Sequence, residues 1–267
     1  MSGDSLFVTS WGRGPEVVLL HGLGASSRYW EVLVAASSGF RATAPDLLGF
    51  GRSPSPPEAS YDIDCHLAAL APHLPERAVV VAHSTGAILA AALAARWPER
   101  VTSLLLLGLP AFPDEATARR SIGSLGLLAR LTVDGRPSAR RLCEAMCRFH
   151  PLAAAIAPLV VRDLPASIAS DGTRHTWASY SRTLLRVVVE HRASTDLLDA
   201  LAPATLLHGR QDRTAPVGPV EDLAARSAGS RRRVRLETVD GGHHLAVRQP
   251  EVVGAALARE LATGVAP

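Results

Sequence analysis

The chain has 267 residues, of which 47% are hydrophobic and 20% are charged, and its formal net charge is +3 at pH 7. That length suits one large α/β domain or a domain with an insertion, and although the pI is near 9.1, so small a basic excess argues against a nucleic-acid partner. The sequence contains no lysine, which excludes a pyridoxal Schiff base and the phosphate-binding lysines of P-loop proteins and kinases.

The chain opens with two predicted strands and a glycine-rich loop. Residues 6–11 and 16–20 read as strands, and the second runs into the loop 21–24, HGLG, with a helix expected to start near 26–27. A dinucleotide fingerprint would need glycine where Ser27 stands. We therefore interpret the loop as an oxyanion loop, because its glycines let the backbone approach a substrate closely.

The next predicted strand, residues 42–45, leads into the segment 46–53, DLLGFGRS. A proline-rich surface loop at 54–57 follows, and apolar residues at helical spacing predict a helix over 61–74. Asp46, directly after the strand, is interpreted as an organiser of its loop rather than as a catalytic residue.

The stretch 78–93, AVVVAHSTGAILAAAL, predicts a strand that turns directly into a helix. Its valines at 79–81 are typical of a strand buried on both faces, and its alanines and leucines at 88–93 are strong helix formers. Such a turn exposes Ser84 beside the amides of the helix N-terminus, the geometry of a nucleophile elbow. The usual pattern is Gly-x-Ser-x-Gly, and Ala82 is a mild departure from it. The alternative is an ordinary serine cap.

The alternation of strands and helices stops after a strand predicted at 102–107. Short helical stretches broken by glycine and proline dominate residues 111–196, and the longest helix candidate covers 173–191. We predict that 111–196 is a helical cap inserted into an α/β core formed by residues 1–110 and 197–267.

The α/β pattern resumes with a strand at 205–207, a helix at 219–227, a strand at 233–239 and a helix at 250–261. The dense basic run, 231–233 with Arg235, is interpreted as a solvated entrance to that last strand. Repeated strand–helix units with buried strands predict the α/β class, with a mostly parallel central sheet and helices on both faces.

Chemistry-bearing residues follow the ends of several predicted strands: His21, Ser84, Asp212 and the pair 243–244, both histidines. In parallel sheets, function collects at the carboxyl ends of the strands. A serine is a poor nucleophile unless a base takes its proton, and the base needs a partner that fixes its tautomer. Nucleophile, acid and then base is the order expected for an α/β-hydrolase.

On these motifs the chain resembles the α/β-hydrolase superfamily over essentially its full length, in a serine-nucleophile, esterase-like branch with a helical cap. The matching segments are 21–24, 46–53, 82–86, 209–212 with Pro216, and 241–244 with 249–251. The resemblance implies that Ser84 is the nucleophile, Asp212 the acid and His243 the base. It also implies that the backbone amides of Leu23 and Thr85 form the oxyanion hole.

Two of these assignments have rivals nearby. His243 is preferred to His244 because the family's histidine directly follows a Gly-x-Gly or Gly-Gly turn and stands seven residues before this proline. If Asp212 only caps a turn, Asp114 and Glu115 are the fallback acids, because they follow the preceding strand.

Aromatic residues and histidines offer candidates for a substrate pocket. The possible pocket residues are Trp30, His83, Trp177 and Tyr180, with packing an equally good reading of the aromatic ones. His83 is expected to point into the sheet as a structural histidine, and His66 and His208 are interpreted in the same way.

The cysteines indicate the compartment. Cys65, Cys143 and Cys147 are an odd number without a Cys-x-x-Cys pair, which favours a reducing environment. Cys143, Cys147 and His150 share one helical face, but a fourth ligand is missing, so no metal site is predicted. Neither a signal peptide nor a transmembrane segment is apparent, and we expect a soluble cytoplasmic protein without a membrane partner; the sequence does not fix its oligomeric state.

The predicted activity is a serine hydrolase that cleaves a carboxylic ester of a small-molecule acyl substrate through an acyl-enzyme, without a cofactor. Haloalkane dehalogenases and epoxide hydrolases use aspartate at the elbow, so Ser84 argues against both. A cofactor-free C–C bond hydrolase, a lactonase and a natural-product tailoring enzyme use the same triad and stay open, as does a non-catalytic small-ligand receptor. Activity is expected to fall as the pH drops through about 6–7, because the histidine base must be neutral.

Overall fold

The computed structural model describes residues 5–161, 163–227 and 234–264. The predicted basic run at 231–233 lies outside the described residues. In the described chain, no helix is both long and apolar enough to cross a lipid bilayer.

The described strands form one seven-stranded sheet. They are Val8–Gly12 (β1), Glu16–Leu20 (β2), Arg41–Pro45 (β3), Ala78–His83 (β4), Val101–Leu107 (β5), Ala204–Gly209 (β6) and Val234–Val239 (β7). Their order is β1-β3-β2-β4-β5-β6-β7, and all neighbours are parallel except β1 and β3, which confirms the predicted sheet. The chain order changes direction between β2 and β4, so the loops that follow these two strands meet at a topological switch point.

Helices cover both faces of the sheet. Before β5 they are Ser27–Trp30 (3-10), Glu31–Ala35 (α1), Ile63–Leu70 (α2), Ala71–His73 (3-10) and Thr85–Arg96 (α3). Between β5 and β6 they are Glu115–Gly123 (α4), Leu127–Val133 (α5), Pro137–Arg148 (α6), His150–Val160 (α7), Ala166–Asp171 (α8), Trp177–Thr183 (α9), Leu184–Val189 (a π-helical turn) and Ala193–Asp199 (α10). After β6 they are Val217–Ser227 (α11), Leu245–Arg248 (α12) and Pro250–Gly264 (α13).

The central strands are buried on both faces because their side chains alternate between two cores. In β4, Val80 and Ala82 point into the core that contains α3, whereas Val79 and Val81 point into the core that contains α13. The continuous apolar run at 79–81 is thus explained: each face needs an apolar side chain at every second position.

Residues 111–196, which form most of the connection between β5 and β6, are called the helical region below. Their described part holds no strand apart from a single bridge between His175 and Phe50. The helix predicted over 173–191 begins later, at Trp177, because Thr176 and Ser179 form a capping box that fixes its first turn. Whether 111–196 is a cap with its own boundaries stays a prediction.

Candidate active site

Ser84 lies at the sharp turn between β4 and α3. Its backbone angles are φ 55° and ψ −120°, in a region that residues other than glycine rarely occupy. Such a conformation costs about 1–3 kcal/mol and persists only where the surrounding structure enforces it. Tight packing beside the turn supplies this constraint. A Cβ atom on Gly86 would lie 2.3 Å from the carbonyl oxygen of Leu20, so α3 approaches β2 more closely than any residue with a side chain would allow.

Asp212 and His243 meet beyond the ends of β6 and β7. The Nδ1–H of His243 donates to Asp212 Oδ2 over 2.7 Å, while Asp212 Oδ1 accepts from the amides of Thr214 and Ala215, each at 2.9 Å. Burial alone would raise the pKa of Asp212, but the hydrogen bond and charge of His243 and the amide of Ala215 outweigh it and lower that pKa. The carboxylate therefore stays ionised and holds His243 in the tautomer that leaves Nε2 free.

Two further histidines lie close to this pair. His208 donates from Nε2 to the carbonyl oxygen of Ala215 over 2.5 Å, and burial lowers its pKa, so it supports the loop as a neutral ring. His244 lines the same cavity as His243, and burial, with the neighbouring His243, lowers its pKa to about 4. Among the described contacts of the two adjacent histidines, the bond to Asp212 is made by His243.

The glycine-rich loop packs directly on the elbow. A Cβ atom on Gly22 would lie 3.1 Å from the Cβ of Ser84, so the loop backbone comes as close to the serine as side-chain packing allows. Leu23 and Thr85 line the same cavity as Ser84. Thr85 begins α3, and the first amides of a helix have no intrahelical acceptor, which leaves them available to an oxyanion.

Two buried side chains hold that loop in position. His21 donates from Nδ1 to the next carbonyl oxygen over 2.8 Å and accepts the amide of Leu47 at Nε2 over 2.9 Å, and burial lowers its pKa, so the ring is neutral. Asp46 accepts the amides of Ser27 and Arg52 at 2.6 and 2.8 Å. Both residues tie the loop after β2 to the segment after β3, and Asp46 has the organising contacts expected of it.

His83 faces the cavity rather than the interior of the sheet. Its Nε2 lies 3.0 Å from the backbone oxygen of His243, and its ring stacks on Tyr29 with centroids 4.6 Å apart and planes 18° from parallel. Burial, reinforced by His243 and His244, lowers the pKa of His83 well below its usual value. Sequence reasoning missed Tyr29, although its place in the first helix after the oxyanion loop was a usable signal.

A cavity of about 400 Å³ lies beside Ser84 and His243. Its remaining wall is largely apolar and comes from the helical region: Ile122, Leu125, Ala129, Val161, Leu164, Ile168, Ala169, Leu184 and Val188. Among the described residues, no aspartate, glutamate or arginine lines it. The cavity is of a size typical for small-molecule sites, and its lining favours an uncharged ligand.

Two of the four possible pocket residues line this cavity and two do not. His83 and Tyr180 are in its wall. Trp30 is instead fully buried in the core that contains α13, where its ring meets that of Tyr29 edge-on. Trp177 is half-buried in the first turn of α9, outside the cavity wall formed by the described residues.

The two fallback acids, Asp114 and Glu115, make local contacts at the N-terminus of α4. Asp114 caps α4 by accepting the amide of Thr117 over 2.7 Å, and Glu115 forms an ion pair with Arg119 at 2.7 Å. These contacts account for both carboxylates locally.

Comparisons with known proteins agree with this architecture. Residues 17–256 match the model of the Alpha/beta hydrolase family. Pimeloyl-[acyl-carrier protein] methyl ester esterase from Aromatoleum aromaticum is 32% identical over 247 residues, which cover 89% of this chain and 94% of that protein. Probable lysophospholipase BODYGUARD 5 from Arabidopsis thaliana is 28% identical over 86% of this chain, but the chain spans only 58% of that relative's length.

Solved structures share the fold. Bromoperoxidase from Bacillus anthracis superposes with a TM-score of 0.72 at 19% identity, covering 96% of this chain and 95% of that one. At that identity the likeness concerns the fold alone. The family match over most of the sequence and the esterase relative together show that this chain belongs to the α/β hydrolase family, in its esterase-like branch.

Proposed function

We propose that this chain is a serine hydrolase that cleaves an uncharged carboxylic ester of a small molecule, with Ser84 as nucleophile, His243 as base and Asp212 as acid. The observation that carries the proposal is the shared cavity: a strained serine and a carboxylate-bound histidine both line it. Ester cleavage is supported by the relatives, one a methyl ester esterase and others probable lysophospholipases.

In the first half of the reaction, Ser84 Oγ attacks the ester carbonyl carbon and its proton passes to Nε2 of His243. The positive imidazolium that results is stabilised by the Asp212 carboxylate at Nδ1. The carbonyl oxygen takes up negative charge and is stabilised by the amides of Leu23 and Thr85. One such donor contributes about 3–4 kcal/mol to the transition state, so the glycine-rich loop matters as much as the base.

In the second half, the alcohol leaves with the proton carried by His243, and the acyl group remains on Ser84. Water then enters, His243 takes one of its protons, and the new oxygen attacks the acyl carbon. The carboxylic acid departs when the proton returns to Ser84 Oγ. Both halves use the same neutral imidazole, so one histidine suffices.

The wall of the cavity supports an apolar substrate. Leu125, Val161 and Leu164 contribute aliphatic surface, and the polar side chains in the wall are histidines, tyrosines, a threonine pair and the serine. An unpaired charge placed against such a wall would lose its hydration without gaining a partner. We therefore assign the uncharged, aliphatic or aromatic part of the ester to this space.

We also assign the activity to the cytoplasm. All three cysteines are free, and a reducing compartment keeps thiols in that state. Detection of the protein in the soluble fraction of a lysate tests this assignment, and recovery from an extracellular fraction would contradict it.

The test is hydrolysis of a panel of 4-nitrophenyl esters of increasing acyl length, with a lactone, a 1,3-diketone and an acid-bearing ester alongside, by wild type and Ser84→Ala. We expect turnover of the neutral esters, a rise in kcat/KM with acyl length, and loss of turnover in the variant. Cleavage of the diketone alone would replace the ester proposal by C–C hydrolysis. Turnover that survives in Ser84→Ala would overturn the role of the serine.

A further inference from the structure

The helical region contains a cluster of metal-ligating side chains outside the candidate active site. Cys143 and Cys147 lie one turn apart on α6, and His175 reaches them from the segment just before α9. Cys143 Sγ is 3.8 Å from His175 Nδ1, and the three ligand atoms all lie within 4.8 Å of one another. Sequence spacing alone pointed to Cys143, Cys147 and His150, and it could not show that the chain returns to this place at His175.

These separations suit a tetrahedral ion. With metal–sulfur bonds of about 2.3 Å and metal–nitrogen bonds of about 2.0–2.1 Å, neighbouring ligand atoms lie about 3.5–3.8 Å apart. The ligand atoms would therefore have to move by about 1 Å or less, which rotation of the side chains allows without movement of the backbone. Two of its members, Cys143 and His175, are buried, and Cys147 is half-buried, so the site is built into the packing between α6 and the segment before α9.

His150, the third residue that the sequence spacing offered, is not part of this cluster. It starts α7 three residues after Cys147, and among the described residues the ligand atoms within 4.8 Å of one another belong to Cys143, Cys147 and His175. The fourth position of a tetrahedral ion is therefore left to water.

We propose that Cys143, Cys147 and His175, with water as the fourth ligand, bind a zinc-class divalent ion that fastens α6 to the segment before α9. Two thiolates and imidazoles form a soft to borderline donor set, which selects zinc-type ions over magnesium or calcium. No carboxylate, a ligand that those harder ions prefer, belongs to this described cluster.

Both cysteines bind a metal ion as thiolates. Binding of the ion therefore displaces the proton that Cys147 Sγ donates to the carbonyl oxygen of His175 over 3.0 Å, together with the proton of Cys143.

The position of His175 connects the ion to the cavity. His175 bridges to the backbone of Phe50, and its ring stacks on Tyr180 with centroids 5.1 Å apart. Tyr180 is part of the cavity wall. The ion thus joins α6 to a segment that contacts both the loop after β3 and the substrate space, and its role is to keep this wall in place rather than to take part in ester cleavage.

The test uses tag-free protein incubated with zinc chloride or cobalt chloride and then desalted. We expect stoichiometric zinc by elemental analysis, a thermal midpoint raised by zinc and lowered by a chelator, and a cobalt spectrum with thiolate-to-metal charge transfer and tetrahedral visible bands. Cys147→Ser and His175→Gln should each lose the charge-transfer intensity or the retained metal. Cys65→Ser, which changes a free cysteine on α2, is the matched control and should keep both.

A measurement on unaltered protein covers the case in which the buried Cys143→Ser variant does not fold. Zinc should slow alkylation of Cys147 by a thiol reagent at least tenfold in wild type, without slowing alkylation of Cys65. Substoichiometric metal after desalting, a cobalt spectrum without thiolate bands, or equal alkylation rates with and without zinc would overturn the proposal. None of these readouts depends on esterase activity. Failure of the ester proposal would therefore leave the metal proposal intact, and failure of the metal proposal would leave the ester proposal intact.

Discussion

The carboxyl end of the sheet, which carries Ser84 and is called the edge below, and the helical region that covers it differ in the contacts that hold each of them in place. At the edge, polar groups meet backbone: Asp212 accepts two amides and one imidazole, and Asp46 accepts two amides. In the helical region several large apolar side chains are exposed, among them Leu127, Leu152 and Leu159, and α7 has no buried residue. Directional bonds fix positions within fractions of an ångström, whereas apolar contacts tolerate repacking.

Because of this difference, the two regions contribute differently to function. The edge supplies geometry, which acyl transfer requires of any ester, and the helical region supplies the surface that an acyl or alcohol group meets. Substitutions at the edge should therefore change kcat or the folding of the sheet, and substitutions in the helical region should change KM and substrate preference.

Among variants that keep the nucleophile, the largest effect is expected from Asp212→Asn. The two amides that Asp212 accepts will hold the asparagine oxygen, so its NH₂ group faces His243 and forces the proton onto the wrong imidazole nitrogen. We expect kcat for a neutral ester to fall about 10⁴-fold with the far-ultraviolet dichroism unchanged. A loss of less than about tenfold would remove Asp212 from the mechanism.

The next effect concerns acid stability at the joint between the two regions. His66 on α2 lies 3.0 Å from Thr183 of α9, and burial lowers its pKa to about 4. Because the folded protein holds this ring neutral, its contribution is complete above the unfolded pKa of about 6.5 and is lost as the pH falls towards 4, by up to about 3 kcal/mol.

Urea unfolding across this pH range measures that contribution. The free energy of unfolding of His66→Gln should decline less steeply between about pH 6.5 and 4 than that of wild type, because glutamine keeps a hydrogen bond to Thr183 and does not titrate. Parallel curves for the two proteins would contradict the assignment of the titration to His66.

Two glycine-to-alanine substitutions, one in each region, compare how well the packing there tolerates an added methyl group. Gly86→Ala places a Cβ atom 2.3 Å from the oxygen of Leu20, so we expect the free energy of unfolding to fall by about 1–3 kcal/mol. Gly123→Ala, in α4, places a Cβ atom 3.5 Å from the Val133 side chain and 4.0 Å from the Cα of Arg130, which are ordinary van der Waals contacts, so it should change the free energy of unfolding by less than about 0.5 kcal/mol. Equal losses in urea unfolding would show that the approach of α3 to β2 is not tight.

The smallest effect is expected from Leu125→Ala. This side chain lines the cavity but is 40% exposed, so its loss should leave folding intact. We expect KM for a long-chain ester to rise about 3- to 10-fold, with KM for an acetyl ester and both kcat values unchanged. A matching loss of kcat for the acetyl ester would place Leu125 in the chemistry instead of in substrate preference.

The same contrast explains what the sequence could and could not predict. Ser84, Asp212 and His243 each follow a strand, and parallel strands bring their carboxyl ends to one edge, so spacing along the chain was enough to predict that they gather there. Stacking of Tyr29 on His83 depends on how the first helix docks, which spacing does not encode.

The sequence predicted helices but not the parts of the molecule against which they pack. Trp30 and Trp177 were candidates for the pocket because aromatic rings often line one, yet an aromatic residue type carries no information on which side it faces. The approach of His175 to Cys143 joins positions 32 residues apart through three separate helices and their turns, and no periodic pattern predicts such a contact.

The most direct test of the central claim, an activated Ser84, is the intact mass of the protein after treatment with a fluorophosphonate, for wild type, Ser84→Ala and His243→Ala. We predict a single adduct on wild type, none on the serine variant and slow labelling of the histidine variant, because the probe needs a serine whose proton a neutral imidazole removes. Absence of an adduct on wild type, or an adduct that persists in Ser84→Ala, would contradict the account.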